Sequence, residues 1–332
     1  MSLFLLYSDP HLCDRAPSSC TDSYTDDLFD LLEQINQVAA RRKVTAVVCA
    51  GDYFHIKAPG RTSHKLVQRV IRTMQSCPVP VYIVPGNHDI THDRLDSIHQ
   101  TQPLGVLFES GAAKLLDGWS DGQDRLPLFG VPWLQGYGDY TEESDNAVAG
   151  ALKGFRTQVK GHDWFAVKPL VVAHAPLYPP GRESPYEYFP ADRWAEAMGG
   201  GGNVFYGHVH EPFDLFRLRD VVFCNNGALS RGSLHEYNIT RQVGVTLYDT
   251  ETGAFEFVPL DAKSASEVFR LQEKQQVTDM QGRLDDFLSS VGSTNLDAVS
   301  VESVIEHIRT LKLGRAAEDL ATELLTEASH AG

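Results

Sequence analysis

Five apolar stretches in this chain of 332 residues stop at polar clusters rich in groups that bind cations. They read "YSDPH" (Asp9, His11), "AGDYFH" (Asp52, His55), "VPGNHD" (Asn87, His88, Asp89), "VVAHAP" (His174) and "FYGHVH" (His208, His210). Carboxylate oxygens, an amide oxygen and imidazole nitrogens, with no thiolate among them, suit Mn²⁺, Fe²⁺ or Zn²⁺ better than an iron–sulfur cluster or a structural zinc site. In D-x-H and H-x-H the two side chains lie on the same side of an extended backbone and reach one ion. A glycine stands ahead of Asp52, Asn87 and His208. That predicts tight turns, or left-handed backbone, which swing a side chain back over the strand end. Each fragment alone has a commonplace explanation, such as chance, a turn, or a satisfied core or surface histidine. Five of them, each at a strand end, do not.

The elements that must position these groups alternate between strand and helix, the pattern of an α/β protein. Strands are predicted at Leu3 to Tyr7, Val44 to Ala50, "VPVYIV", Leu126 to Val131, Leu170 to Ala173, Val204 to Tyr206, Val221 to Cys224 and Val243 to Tyr248. In such folds ligands collect where loops converge at the carboxyl ends of strands. Leu28, Leu31, Leu32, Ile35, Val38 and Ala39 keep helical spacing, with Arg41, Arg42 and Lys43 at the end that favours cations. A second helix is expected from about Thr62, as N-cap, to Gln75. After Pro259 the rhythm turns helical. Val277, Met280, Leu284, Phe287, Leu288 and Val291 mark one face, and two shorter helices follow "VGSTN". The sequence divides into residues 1–262, an amphipathic helical segment 263–292 and a helical tail 293–332.

Hydrophobic residues make up 42% of the chain, enough for a sizeable core, and nothing suggests disorder. The N-terminal apolar run is too short for a signal peptide and no segment reads as a membrane span, so a soluble, cytoplasmic protein is expected. Five cysteines without C-x-x-C spacing read as reduced structural thiols. The net charge of −15 argues against strong binding to a phosphate backbone by the chain alone. Up to residue 260 there are 31 acidic and 22 basic residues, and 13 and 7 beyond it, so the acidity is spread over both parts. Cations or a basic partner would have to offset it.

The series D-x-H, G-D, G-N-H-D, a lone H, then G-H-x-H resembles the calcineurin-like metallophosphoesterase superfamily, over Asp9 to His210. The resemblance implies a four-layer α/β/β/α sandwich with two mixed sheets, here with a C-terminal helical extension. It implies two divalent metal ions, Mn²⁺ foremost, with Mg²⁺, Fe²⁺ or Zn²⁺ as alternatives. Asp9, His11 and His210 would hold the first, Asn87, His174 and His208 the second, and Asp52 both. His88 would stabilise charge on the phosphorus or protonate the leaving group, and Asp89 would hold the His88 tautomer. The implied reaction is two-metal hydrolysis of a phosphoester.

"GDYFHIKAP", with His55 three residues after Asp52, is similar to the DNA-repair nuclease branch, the SbcD-like nuclease subunits of SbcCD-type complexes. "FGVPW" and "CNNGALSRGSLHEYNITRQVGVTLYD" agree with it. There His55 would position the scissile phosphate; the alternative is that it caps the turn. Lys57 and Arg61 beside the metals, and Lys65 and Arg69 on the second helix, are candidate DNA contacts; a solvated face explains that helix equally well. The branch implies a DNA exonuclease and endonuclease, a homodimer within a heterotetramer, and an SMC-like ATPase (SbcC type) as partner. Dimer contacts would come from residues 62–76 and about 93–108. The 277–291 face would dock the ATPase or pack on the chain's own core. The short chain lacks room for a capping domain and resembles compact phage nuclease subunits, so bacterial or phage origin is expected. The alternatives are a stand-alone phosphodiesterase for small or cyclic nucleotides and a non-catalytic scaffold.

Overall fold

The computed structural model describes residues 2–91, 94–120, 126–137, 140–161, 167–182, 184, 188–199 and 201–271. Val47, Val48 and their apolar neighbours form strands because β-branched and aromatic side chains fit a pleated surface buried on both faces. One sheet holds six strands: β1 (Leu3–Tyr7), β2 (Ala46–Cys49), β3 (Val81–Ile83), β4 (Lys114–Leu115), and later β12 (Gly244–Asp249) and β13 (Phe255–Pro259). Its order is β13-β12-β1-β2-β3-β4, parallel from β1 to β4 and antiparallel at β12 and β13. The second sheet has the order β10-β11-β9-β6-β5, built from β5 (Leu128–Val131), β6 (Leu170–His174), β9 (Gly202–Gly207), β10 (Phe213–Leu218) and β11 (Val221–Asn225). It is parallel apart from β10. A short parallel pair, β7 (Leu177–Tyr178) and β8 (Phe189–Pro190), extends the loop after β6.

The core lies between the two sheets. Phe4, Leu6, Ala46, Val48, Ala50 and Tyr82 of the first meet Leu128, Leu170, Val172, Phe205 and Cys224 of the second. Alternation along each strand sends Leu5, Val47 and Ile83 to the opposite face, where they are also buried. Helices must cover that face. α1 (Tyr24–Arg42) buries Leu28, Leu31, Leu32, Ile35 and Val38, the expected stripe, and ends with Lys43 in left-handed conformation. α2 (His64–Gln75) packs against α1. Its N-cap is Ser63 rather than Thr62, because the Ser63 hydroxyl accepts from the Leu66 amide at 3.1 Å. After α3 (Ser97–Thr101) and α4 (Pro103–Glu109), α5 (Glu142–Gly161) and α6 (Ala191–Met198) pack on each other beside β5 and β10. The second strand is shorter than the expected Val44 to Ala50: the Val44 amide still bonds the Ala39 carbonyl of α1, and the Ala50 carbonyl faces His174 Nδ1.

α7 (Glu236–Thr240) precedes β12, and α8 (Ala265–Val268) opens on a Ser264–Glu267 capping box. Val268 and Phe269 are buried, and the Thr21 amide donates to the Val268 carbonyl. The first compact unit therefore runs to Phe269, and a second comprises residues 270–332. The helical faces expected at 277–291 and 301–325 lie outside the described residues. All five cysteines are free thiols. No described helix is long and apolar enough to cross a membrane.

Candidate metal centre

The five strand ends converge. β1 delivers Asp9 and His11, β2 delivers Asp52, the turn after β3 delivers Asn87 to Asp89, β6 ends on His174, and β9 leads into His208 and His210. Three groups form among the described residues: Asp9 with His11 and His210, Asp52 with His174 and His208, and His11 with His55 and His88. The Nε2 atoms of His11 and His210 stand 3.0 Å apart. The Asn87 amide oxygen lies 3.1 Å from His174 Nε2 and 3.3 Å from His208 Nδ1. A single oxygen joins the first two: Asp52 Oδ2 is 3.6 Å from His11 Nε2 and 3.4 Å from His174 Nε2.

The backbone is bent to achieve this. Asp9, His11, Asp52 and His208 have φ of 52°, 45°, 50° and 87°, a region that L-residues rarely occupy. Such strain gathers where surrounding bonds enforce it. Asp9 N donates to the Gly51 carbonyl and His11 N to the Asp52 carbonyl, both at 3.1 Å. Both Asp9 carboxylate oxygens accept from His208 N, and Asp52 Oδ1 accepts from His88 N at 2.7 Å. The expectation for the glycines is thereby corrected in part. Gly51 does adopt positive φ (96°), but Gly86 and Gly207 do not; they are needed for close approach. A Cβ on Gly86 would collide with the Asp52 carboxylate, and one on Gly207 with the Ala50 carbonyl at 2.3 Å.

The donor set fits a cation on its own chemistry. His174 Nδ1 lies 2.7 Å from the Ala50 carbonyl, an acceptor only, so Nδ1 carries the proton. The Nε2 lone pair of the neutral ring then faces Asn87 Oδ1 and Asp52 Oδ2, and three electron pairs converge on one point. Imidazoles that ligate metals are oriented in this way, with the second nitrogen donating to a carbonyl. Protonation opposes this at His174. Burial opposes a charged His174, yet the adjoining Asp52 carboxylate prevails and holds it up at about 9. Burial would raise Asp52 too, but His174, His88 and His11 together hold it well below the usual carboxylate range. Burial lifts Asp9 to about 7, against the pull of His174. His210 is pushed down to about 3 by burial and by His208, and His11 is lowered by burial. Neutral imidazoles and ionised carboxylates are the forms that bind metal, so His11, His210 and Asp52 stand ready, whereas a cation must displace a proton from His174.

His88 and His55 join the rim. Their rings stack at 5.8 Å with 19° between planes, and lie 4.9 and 5.4 Å from the His11 ring. His88 Nδ1 donates to the His55 carbonyl at 2.5 Å, leaving Nε2 for the centre. This overturns the role expected of Asp89. Its carboxylate accepts from the amides of Tyr53 (3.0 Å), Phe54 (3.4 Å) and Gly86 (2.9 Å) and does not touch the imidazole. Burial raises it to about 7, with those amides opposing. Asp89 ties the Asp52 loop to the Asn87 loop.

Of the candidate DNA contacts, Lys57, Arg61 and Lys65 are exposed. Arg69 is not available in the same way: its guanidinium pairs with Asp26 of α1 and lies 3.8 Å from the centroid of the Phe29 ring. Sequence reasoning missed two supports. Trp133 packs 4.8 Å from the His208 ring and 6.0 Å from that of His174; its place in "FGVPW", another strand end, was the available signal. The Ser230 hydroxyl donates to the Asp9 carbonyl at 2.8 Å, and half-buried Arg241 donates to the Ser230 carbonyl at 2.7 Å.

Two facing mixed sheets with a mixed carboxylate, amide and imidazole cluster at their strand ends define a metal-binding hydrolase scaffold. The family model for the calcineurin-like phosphoesterase matches residues 2–212, and the chain belongs to that family. The family's centre is dinuclear. The chain is 26% identical over 265 residues to the DNA double-strand break repair protein Mre11 of Halobacterium salinarum, covering 75% of this chain and 60% of that one. It is 25% identical over 117 residues to the Mre11 of Saccharolobus solfataricus, covering 35% and 29%. The chain thus spans less than two thirds of the length of these relatives. A dimetal phosphatase from Danio rerio shares the fold, with a TM-score of 0.51 at 11% identity, covering 78% of this chain and 98% of that one.

Proposed function

We propose that the chain is a two-metal DNA nuclease, hydrolysing phosphodiester bonds as exonuclease and endonuclease. The observation that carries this is Asp52 Oδ2, within 3.6 Å of a histidine from each of the two ligand groups. Asp9, His11 and His210 would hold one ion, Asn87, His174 and His208 the other, and Asp52 both. Two bound divalent ions, Mn²⁺ foremost, supply the charge that acidifies water and polarises the phosphate. The chain's own groups do the rest. Asp9 and Asp52 offset the positive charge, and His174 is fixed by its bond to Ala50. His88, held through Nδ1, presents Nε2, which in the imidazolium form donates its proton to the leaving oxygen and is left as the neutral Nδ1–H ring. His55, stacked on His88, contacts the scissile phosphate beside Lys57 and Arg61.

The likeness to DNA double-strand break repair proteins supports DNA as substrate. An SbcC-type ATPase is the partner proposed from the sequence motifs alone, with residues 277–291 as its docking face. A homodimer would use the cavity of about 370 Å³ between α2 and α4, lined by Val67, Ile71, Pro103 and Val106. The net charge of −15 and the engaged Arg69 favour a second reading, a phosphodiesterase for small or cyclic nucleotides.

One assay separates them. The full chain with Mn²⁺ is given labelled linear and circular DNA, a chromogenic diester and cyclic nucleotides. DNA degradation that disappears in His88→Ala supports the nuclease. Diester turnover with intact DNA supports the second reading, and absence of metal uptake refutes both.

A further inference from the structure

Beyond His174 and His210 the chain carries a second set of groups that the hydrolytic centre does not use. Tyr178 follows His174 by four residues and Phe213 follows His210 by three, which keeps both within roughly 10–14 Å of the cluster along an extended chain. Their rings lie 5.8 Å apart at 59°, with Tyr188 at 6.3 Å from Tyr178. Other aromatics of this half of the molecule, such as Phe189 and Trp194, are fully buried; Tyr178, Tyr188 and Phe213 are only partly so. Arg182 lies 5.6 Å from the Phe213 ring centroid, 57% exposed, and its Nη2 is 2.6 Å from Glu211, the neighbour of His210.

We infer that Tyr178, Phe213 and Arg182 form a nucleotide subsite beside the metal cluster, the rings stacking an unpaired base and the guanidinium taking the adjoining phosphate. The inference rests on the phosphodiesterase reading and names its substrate class: diesters whose flanking base is unpaired. A base inside a duplex hides the faces such a platform needs, whereas single strands offer them. Exposed ion pairs contribute little, so a phosphate displaces Glu211 from Arg182 at small cost. Guanidinium then matches phosphate geometry. Stacking also answers the charge problem, since it does not depend on a basic surface.

The test uses the full chain with Mn²⁺ and three esters sharing one leaving group: methyl p-nitrophenyl phosphate, thymidine 5′-(p-nitrophenyl phosphate), and the latter phosphorylated at O3′. Replacing both rings (Tyr178→Leu with Phe213→Leu) should raise KM for the thymidine esters about tenfold, with kcat and the methyl ester unchanged. Arg182→Gln, a surface change that leaves folding intact, should raise KM severalfold only where the 3′-phosphate is present. Equal effects on all three esters, or none, overturn the inference. If the wild type hydrolyses no diester, the phosphodiesterase reading fails by itself. Calorimetric titration with thymidine 5′-monophosphate then decides the subsite: about tenfold weaker binding in the double variant sustains it, while equal affinity or no wild-type binding overturns it.

Discussion

Replacing Asp89 by asparagine changes one oxygen to an amide of nearly the same shape and separates two accounts of this residue. In the structure, Oδ2 accepts from Gly86 N at 2.9 Å and Oδ1 from Tyr53 N at 3.0 Å, with Phe54 N at 3.4 Å. An asparagine satisfies one side and turns an N–H against an N–H on the other. Losing a buried hydrogen bond to a charged group and orphaning its donor costs about 2–3 kcal/mol. The loss falls on the tie between the Asp52 and Asn87 loops, so metal affinity should drop about 10- to 100-fold, as for other residues that orient ligands. Thermal unfolding in chelator reads the first effect and Mn²⁺ calorimetry the second. The reasoning is refuted if Asp89→Asn keeps both its stability and its Mn²⁺ affinity and loses only turnover, which is what orienting His88 would give.

Substituting His88 by alanine should lower diester turnover about 10²- to 10⁴-fold while Mn²⁺ binding stays within a few-fold; parallel loss of both would mean that His88 is a ligand. His55→Ala should likewise spare metal affinity and depress DNA cleavage. With metal chelated, stability should fall as pH rises from 7 to 9, by at most about 3 kcal/mol. His174 is raised to about 9 in the fold, so its contribution is full below pH 6.5 and lost through 9; Asp52 is lowered and stays ionised across that window. A flat or rising unfolding midpoint would contradict the Asp52–His174 pairing. For DNA binding, Arg61→Ala should reduce the salt slope by about one unit. Arg69→Ala should leave the slope unchanged and instead loosen α1 from α2; the opposite ranking would put Arg69 on the DNA.

The metal ligands were legible because their chemistry is written locally. Each cluster follows an apolar run, and residue type alone restricts what can gather there. What could not be read was anything settled by which loop meets which. Asp89 sits next to His88 in sequence, and only the fold shows its carboxylate reaching back to the amides of Tyr53 and Phe54. Arg69 reads as part of a basic stripe on α2, but Asp26 and Phe29 of α1 lie opposite it. Gly86 does open a turn, its carbonyl accepting from the Asp89 amide, but what demands glycine at 86 and 207 is the proximity of the Asp52 carboxylate and the Ala50 carbonyl. α5 went unread because Gly150 and Gly154 interrupt it, and β10 and β13 because edge strands expose Leu215 and Phe257, blurring the alternation.

The strand that carries Asp9 and His11 is completed on one side by a neighbour made far later. β1 pairs with β12 from Leu3 with Asp249 to Leu6 with Thr246, and Ser2 N donates to the Thr250 hydroxyl across 248 positions. At a translation rate of 5–20 residues per second, some 10–50 s separate the emergence of these partners. Nascent chains should therefore hold an open edge on β1 through most of synthesis, and an unfinished polypeptide would carry the first ligands without a closed catalytic pocket.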